Sequence, residues 1–263
     1  MNQKLQAYLE RIGYGGAIES SIENLRAIHR AHMMSVPFEN LDIHVGRWIV
    51  LDEERLYQKI VNERRGGFCF EQNGLFYAML GEMGYEVIRV EANVRHGDES
   101  YGEVRMNHMG LLVNLGGKRW IADVGFGDSF TEPLEVDNPY PQRIGNEQFK
   151  IEHDETTGYY WYLNDGDEWE IQYRFFFEAH ELGDYEAACH YMQTSPNTHF
   201  TQKRVCSKAT TEGRVSLSDL RLIERVGGVR TENMLADEVE LEAILWERFG
   251  VNLETARMMA DRG

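Results

Sequence analysis

Residues 64–94 read RRGGFCFEQNGLFYAMLGEMGYEVIRVEANV, and inside this stretch the apolar period changes from helical to strand-like. Starting at Cys69, the residues Leu75, Phe76, Met79, Leu80 and Met83 form one stripe at helical spacing, and Gly84 supplies a stop. From Tyr85 the period is two. Ile88, Val90, Ala92 and Val94 alternate with Arg89, Glu91 and Asn93, which predicts a strand with one buried face. A helical region therefore gives way to a β region near residue 84.

Upstream, Leu5, Leu9 and Ile12, then Ile22, Leu25, Ile28 and His29, predict short packed helices. Between them and Cys69, Pro37 disfavours helix at Val36 and predicts an extended crossing over residues 35–40. Downstream, Met109, Leu111, Val113 and Leu115 alternate, Gly116-Gly117 signals a two-residue turn, and residues 119–124 return as the partner strand. Residues 140–177 read as further antiparallel strands with turns at 154–158 and 164–167. Beyond Pro196 the pattern is mixed until an amphipathic helix over 239–249 that ends at Gly250. The expected segments are 1–84, 85–200 and 201–263.

Twenty-seven Lys plus Arg against 44 Asp plus Glu give a formal charge of −17, which repels phosphate backbones and anionic headgroups. Neither nucleic acid nor a membrane is an expected partner. The opening MNQKLQAYLE lacks the layout of a signal peptide, and no apolar run approaches the roughly 18 residues of a bilayer span, so a cytoplasmic protein is expected. Three widely spaced cysteines, Cys69, Cys189 and Cys206, argue for reduced thiols. His29 and His32 share a helix face, but no cysteine or acidic pair completes a ligand set, so no metal is expected.

One of those thiols is placed for chemistry. Cys69 follows Gly66-Gly67 and opens a helix, where the macrodipole and a nearby His⁺ would lower its pKa toward thiolate. The N–H groups beside it could stabilise an oxyanion. A buried structural cysteine is the equal alternative on this segment alone. The hairpin supplies two partners. With Gly116-Gly117 as the turn, Leu115 pairs with Lys118, Gly110 with Asp123 and His108 with Gly125. His108 and Asp123 then share a face as diagonal neighbours, roughly 7–8 Å apart at the backbone. A one-residue slip would separate them. In this register Asp123 orients His108 and His108 takes the proton from Cys69, forming a nucleophile set for acyl transfer.

These residues resemble the arylamine N-acetyltransferase family. The likeness rests on Arg-Gly-Gly-Phe-Cys-Phe-Glu-Gln-Asn at 65–73, Val-Pro-Phe-Glu-Asn-Leu at 36–41, the His108 strand, Asp-Val-Gly-Phe-Gly at 123–127 and the opening Tyr-Leu-Glu-Arg-Ile-Gly at 8–13. It is close over roughly residues 5–130 and loose beyond. It implies an α+β fold with an N-terminal helical bundle, a central antiparallel β-barrel and a C-terminal α/β lid on a papain-like cysteine catalytic core. It further implies ping-pong acetyl transfer from acetyl-CoA through Cys69 to an arylamine or hydrazine. Phe38, Val94 and Phe126 match the family's substrate wall. The loop 96–107 matches its CoA-contacting region, which makes Val104 and Arg105 candidate CoA contacts, and the glycine pair Gly125-Phe126-Gly127 adds Gly127 as a third. Arg64 and Glu39 are expected to form a buried polar support. A papain-like or transglutaminase-like hydrolase, and a non-catalytic binding protein with an inert Cys69, are the alternatives.

Overall fold

The computed structural model describes residues 2–95, 104–155, 158–165 and 168–260. Its chain begins with helices α1 (Gln3–Ile12) and α2 (Ile22–Ser35), a two-residue strand β1 (Phe38–Glu39), and the short helices α3 (Leu41–Val45) and α4 (Glu53–Tyr57). A π-helical turn over Gln58–Asn62 leads to α5 (Cys69–Glu82). Side-chain caps set the entries of the first two helices: Asn2 accepts from the Lys4 N–H and Ser21 from the Asn24 N–H. The expected helical stripes are the faces that pack, with Leu5, Leu9, Leu25, Ile28, Leu75, Phe76 and Met79 in one core. Gly84, at φ +84°, ends α5, and the Tyr85 N–H closes the turn on the Leu80 carbonyl.

Eight antiparallel strands follow: β2 (Glu86–Val94), β3 (His108–Leu115), β4 (Lys118–Ala122), β5 (Leu134–Glu135), β6 (Gln142–Ile144), β7 (Glu147–Asp154), β8 (Gly158–Asp165) and β9 (Glu168–His180). They lie in the order β5-β4-β3-β2-β9-β8-β7-β6. The two ends approach each other, because the Gln142 side chain both donates to the Glu135 carbonyl and accepts from the Glu135 N–H. The sheet is thus a nearly closed barrel, filled by Phe130, Phe149, Trp161, Tyr173 and Phe175. Of the two expected turns in this region, residues 156–157 and 166–167 lie outside the described residues.

The β2 strand departs from the sequence reading. Its polar positions Arg89, Glu91 and Asn93 are buried, as Val90 and Ala92 are. α5 packs across that side: the Arg89 guanidinium lies 3.5 Å from the Tyr77 ring centroid, and Glu91 pairs with Arg105 at 2.7 Å. Alternation of apolar and charged residues marks two different faces, but not which of them meets water.

Helices α6 (Glu186–Thr194) and α7 (His199–Gln202) then lead into strands the mixed pattern concealed: β10 (Val205–Thr210), β11 (Gly213–Ser218), β12 (Arg221–Val226) and β13 (Val229–Met234). These form a second antiparallel sheet with β1 at its edge, so residues 38 and 39 pair with 207 and 206. The expected terminal helix is present. α8 (Glu238–Ile244) continues as a π-helical turn to Phe249, capped by Gly250 at φ +71°, and α9 (Leu253–Ala260) follows.

Candidate active site

Cys69 is the first residue of α5. The backbone reaches it through Gly66 and Gly67, which run beside β1: the Glu39 N–H donates to the Gly67 carbonyl at 2.9 Å, and a Cβ on Gly66 would stand 1.9 Å from the Pro37 carbonyl oxygen. Only glycine fits there. The thiol is 3% exposed. Burial, and then the charge of Asp123, push its pKa well up, while the backbone N–H groups of Phe70 and Met109 pull it down. The helix N-terminus therefore does not by itself produce the thiolate expected from the sequence, because desolvation outweighs it. A thiolate here requires a proton acceptor inside the same pocket.

The hairpin brings a candidate to the same pocket. Gly116 and Gly117 take φ of +62° and +75°, and the ladder pairs Leu115 with Lys118 through to Leu111 with Ala122. This is the expected register, so Asp123 falls beside the head of β3. His108 Nε2 lies 2.7 Å from Asp123 Oδ2, with both side chains buried. Asp123 Oδ1 accepts from Asn73 Nδ2 at 2.8 Å and from the Gly125 N–H at 2.9 Å. Burial opposes its ionisation, but His108, then Asn73 and Tyr173, hold its carboxyl below the usual range. A carboxylate on one nitrogen fixes that nitrogen as the donor and leaves His108 Nδ1 as the basic one.

Three residues that the sequence reading did not assign complete the support. Asn73, one helical turn after Cys69, donates to Asp123 and to the Met109 carbonyl and accepts from the Val124 N–H. Its i+4 spacing from Cys69 was the available signal. His29 Nε2 accepts from the Asp123 N–H at 3.1 Å and its Nδ1 faces the Thr131 carbonyl at 3.0 Å. Burial depresses it to about 4, so it is a neutral strut. The Tyr173 ring lies 5.0 Å from His108, centroid to centroid.

Cys69 and His108 open on a mainly apolar cavity of about 440 Å³. Phe38, Val94, Phe126 and Gly127 line it, as do Ser207 and Leu217 from the second sheet. Val104 and Arg105 lie outside its lining. Val104 packs on the apolar cluster that includes Cys69, and the exposed Arg105 is tied to Glu91. Residues 96–103 of the same loop lie outside the described residues. Gly127 is held from the second sheet by Ser207 and Arg214, which both donate to its carbonyl. The buried partner of Glu39 is Arg65, at 2.7 Å, and not Arg64. Arg64 sits outside that cluster at φ +54°, a left-handed residue that turns its neighbour inward.

A family model described as N-acetyltransferase matches residues 21–258. An arylamine N-acetyltransferase of Escherichia coli is 32% identical, with 98% of this chain and 92% of the relative covered. The chain belongs to the arylamine N-acetyltransferase family. Among solved structures, the arylamine N-acetyltransferase from Salmonella typhimurium superposes with a TM-score of 0.90 at 27% identity, covering 99% of each chain. That of Mycobacterium marinum in complex with CoA gives 0.90 at 29%, covering 98% of this chain and 97% of the other. The arylamine N-acetyltransferase likeness therefore extends through the second sheet and the last helices, beyond the motifs that carried it in the sequence. Among the described residues no helix is long and apolar enough to cross a membrane, and no group of His, Cys, Asp and Glu could hold a metal ion.

One glycine of this site makes a sharp prediction. A Cβ on Gly125 would stand 2.7 Å from Asn73 Nδ2 and 2.8 Å from both the Cys69 Cα and carbonyl oxygen. Two of those three atoms are backbone and cannot rotate away. Gly125→Ala is expected to cost about 1–3 kcal/mol by overpacking and to lower turnover by displacing Cys69. Urea unfolding with parallel rate assays checks this; unchanged stability and rate would contradict it.

Proposed function

We propose that this chain transfers acetyl from acetyl-CoA to an arylamine or hydrazine through an acetyl-Cys69 intermediate, with His108 as base and Asp123 as its orienting carboxylate. The observation that carries the reading is the shared cavity. A buried thiol, an imidazole polarised by a carboxylate and a mainly apolar wall converge on one space, in a chain of this family.

The thiol passes its proton to His108 Nδ1 and the sulfur attacks the thioester carbonyl. Within the buried pair this transfer separates charge without adding any, which suits a site where an isolated thiolate is costly. First-turn N–H groups of α5 and that of Met109 offset the negative charge. CoA departs as a thiol with the proton from His108. The amine then attacks the acetyl-enzyme, a thioester of the same reactivity as the donor; His108 takes its proton, the acetyl–sulfur bond breaks, and the departing Cys69 thiolate regains the proton from His108. Phe38, Val94 and Phe126 would receive the aryl ring. Gly127, whose carbonyl is pinned from the second sheet, would lie on the CoA side. In this arrangement residues 1–84 supply the nucleophile, 85–200 the base and its carboxylate, and 201–263 the facing wall. The cell compartment consistent with free thiols and a CoA donor is the cytoplasm.

Intact-protein mass spectrometry tests the reading. Mixing with acetyl-CoA alone should add one acetyl group, located on the Cys69 peptide and discharged by a simple arylamine. No adduct on folded protein would overturn it.

A further inference from the structure

A buried ionic cluster lies against the first turn of α5. Glu39, Asp42, Lys59, Arg65 and Glu71 are each at most 4% exposed. Lys59 Nζ stands 2.7 Å from Glu71 Oε1 and 2.9 Å from Asp42 Oδ2. Arg65 spans Glu39 at 2.7 Å and Asp42 at 2.8 Å. The other oxygen of Glu71, Oε2, accepts from the Phe68 N–H at 3.2 Å, one residue before Cys69. It lies so close over the chain that a Cβ on Gly67 would stand 2.8 Å from it.

We propose that Lys59 is a positioning residue for acetyl transfer, pairing with the Glu71 carboxylate over the Phe68 N–H so that the first turn of α5, and with it the Cys69 sulfur, is fixed. The inference rests on Cys69 being the nucleophile. Lys59 does not line the cavity; it reaches the first turn of α5 through Glu71, and its second partner is Asp42. Burial pushes the Glu71 carboxyl up, Asp42 and Glu39 push it the same way, and Lys59 pulls it down, so that with Lys59 in place it comes to about 7. Without Lys59 the carboxyl would be protonated at neutral pH, and a neutral acid is the weaker acceptor for a helix-start N–H. The groups facing Glu71 are Lys59, Asp42, Glu39 and Cys189; those facing Cys69 are His108, Asp123, Cys189 and Tyr185. Arg47 closes the cluster at its edge, 3.7 Å from Asp42.

The test is the pH dependence of Cys69 alkylation by iodoacetamide, read by peptide mass spectrometry on the full chain so that Cys189 and Cys206 are counted separately. The parent should show, besides the ionisation of the Cys69–His108 pair, a rise in reactivity near pH 7 from Glu71. Lys59→Met should move that rise upward by about one pH unit or more. Glu71→Gln should abolish it, and being nearly isosteric it decides the matter if Lys59→Met does not fold. A Lys59→Met profile superposable on the parent, a uniform slowing at every pH, or a rise retained in Glu71→Gln would each overturn the proposal. Failure of the nucleophile reading shows elsewhere, as turnover that survives Cys69→Ser.

Discussion

Cys69→Ser is expected to lower turnover by roughly 10⁴-fold or more, equivalent to about 5.5 kcal/mol of barrier, while leaving CoA binding and thermal stability nearly unchanged. The substitution swaps one atom in a side chain that is 3% exposed and packed among Phe68, Phe70 and Met109, so the fold has little to lose. Chemistry loses much more. Burial and the Asp123 charge already push the thiol well up, and the same surroundings act on a hydroxyl whose intrinsic acidity is far weaker. His108 can accept the thiol proton because sulfur carries negative charge better than oxygen. Any acetyl that reached the substituted hydroxyl would also form an ester, which an arylamine attacks far less readily than a thioester. Both half-reactions should therefore fail. Steady-state rates with acetyl-CoA and an arylamine, set beside calorimetric CoA binding, decide the matter. Turnover within about tenfold of the parent would remove Cys69 as nucleophile.

The arrangement of the three candidate groups was legible from residues 64 to 125 because local rules act there without competition. A glycine pair before a helix-opening cysteine, a two-residue glycine turn and a fixed ladder together place Cys69, His108 and Asp123, and Leu115 pairs with Lys118 as the turn requires. What could not be read was set by distant packing. Arg89, Glu91 and Asn93 look solvent-facing by alternation and are buried because the Tyr77 ring of α5 covers Arg89, while Glu91 pairs with Arg105 and Asn93 accepts from the Met106 N–H. His29 looks like a core or surface residue of α2, yet it bonds a backbone N–H 94 positions away. Likewise Ser207 and Leu217, which line the cavity, sit on a sheet whose pairing with β1, from the far end of the chain, no local pattern reveals. The direction of the Cys69 pKa failed for a related reason. A helix N-terminus is visible in a sequence, whereas the depth of burial around it is not.

Asp123→Asn should be nearly as damaging as the loss of the thiol, with turnover down by about 10⁴-fold, and the hydrogen bonds around the carboxylate say why. Two donors, Asn73 Nδ2 and the Gly125 N–H, converge on Oδ1. In the variant they will select the amide oxygen for that position, because an NH₂ group there would face two N–H groups with nothing to accept them. The NH₂ is then forced to the Oδ2 site, 2.7 Å from His108 Nε2. To meet it, Nε2 must become an acceptor and the proton moves to Nδ1. His108 then presents an N–H where a base is required, and the imidazolium formed during transfer has no anion beside it. The geometry is preserved while the tautomer is inverted, so stability should change little compared with rate. A rate within a few-fold of the parent would show that Asp123 only closes the turn after β4. Slow turnover that recovers as pH rises would instead point to a simple loss of acidity control. An inverted tautomer allows no such recovery, since raising the pH does not return the proton to Nε2.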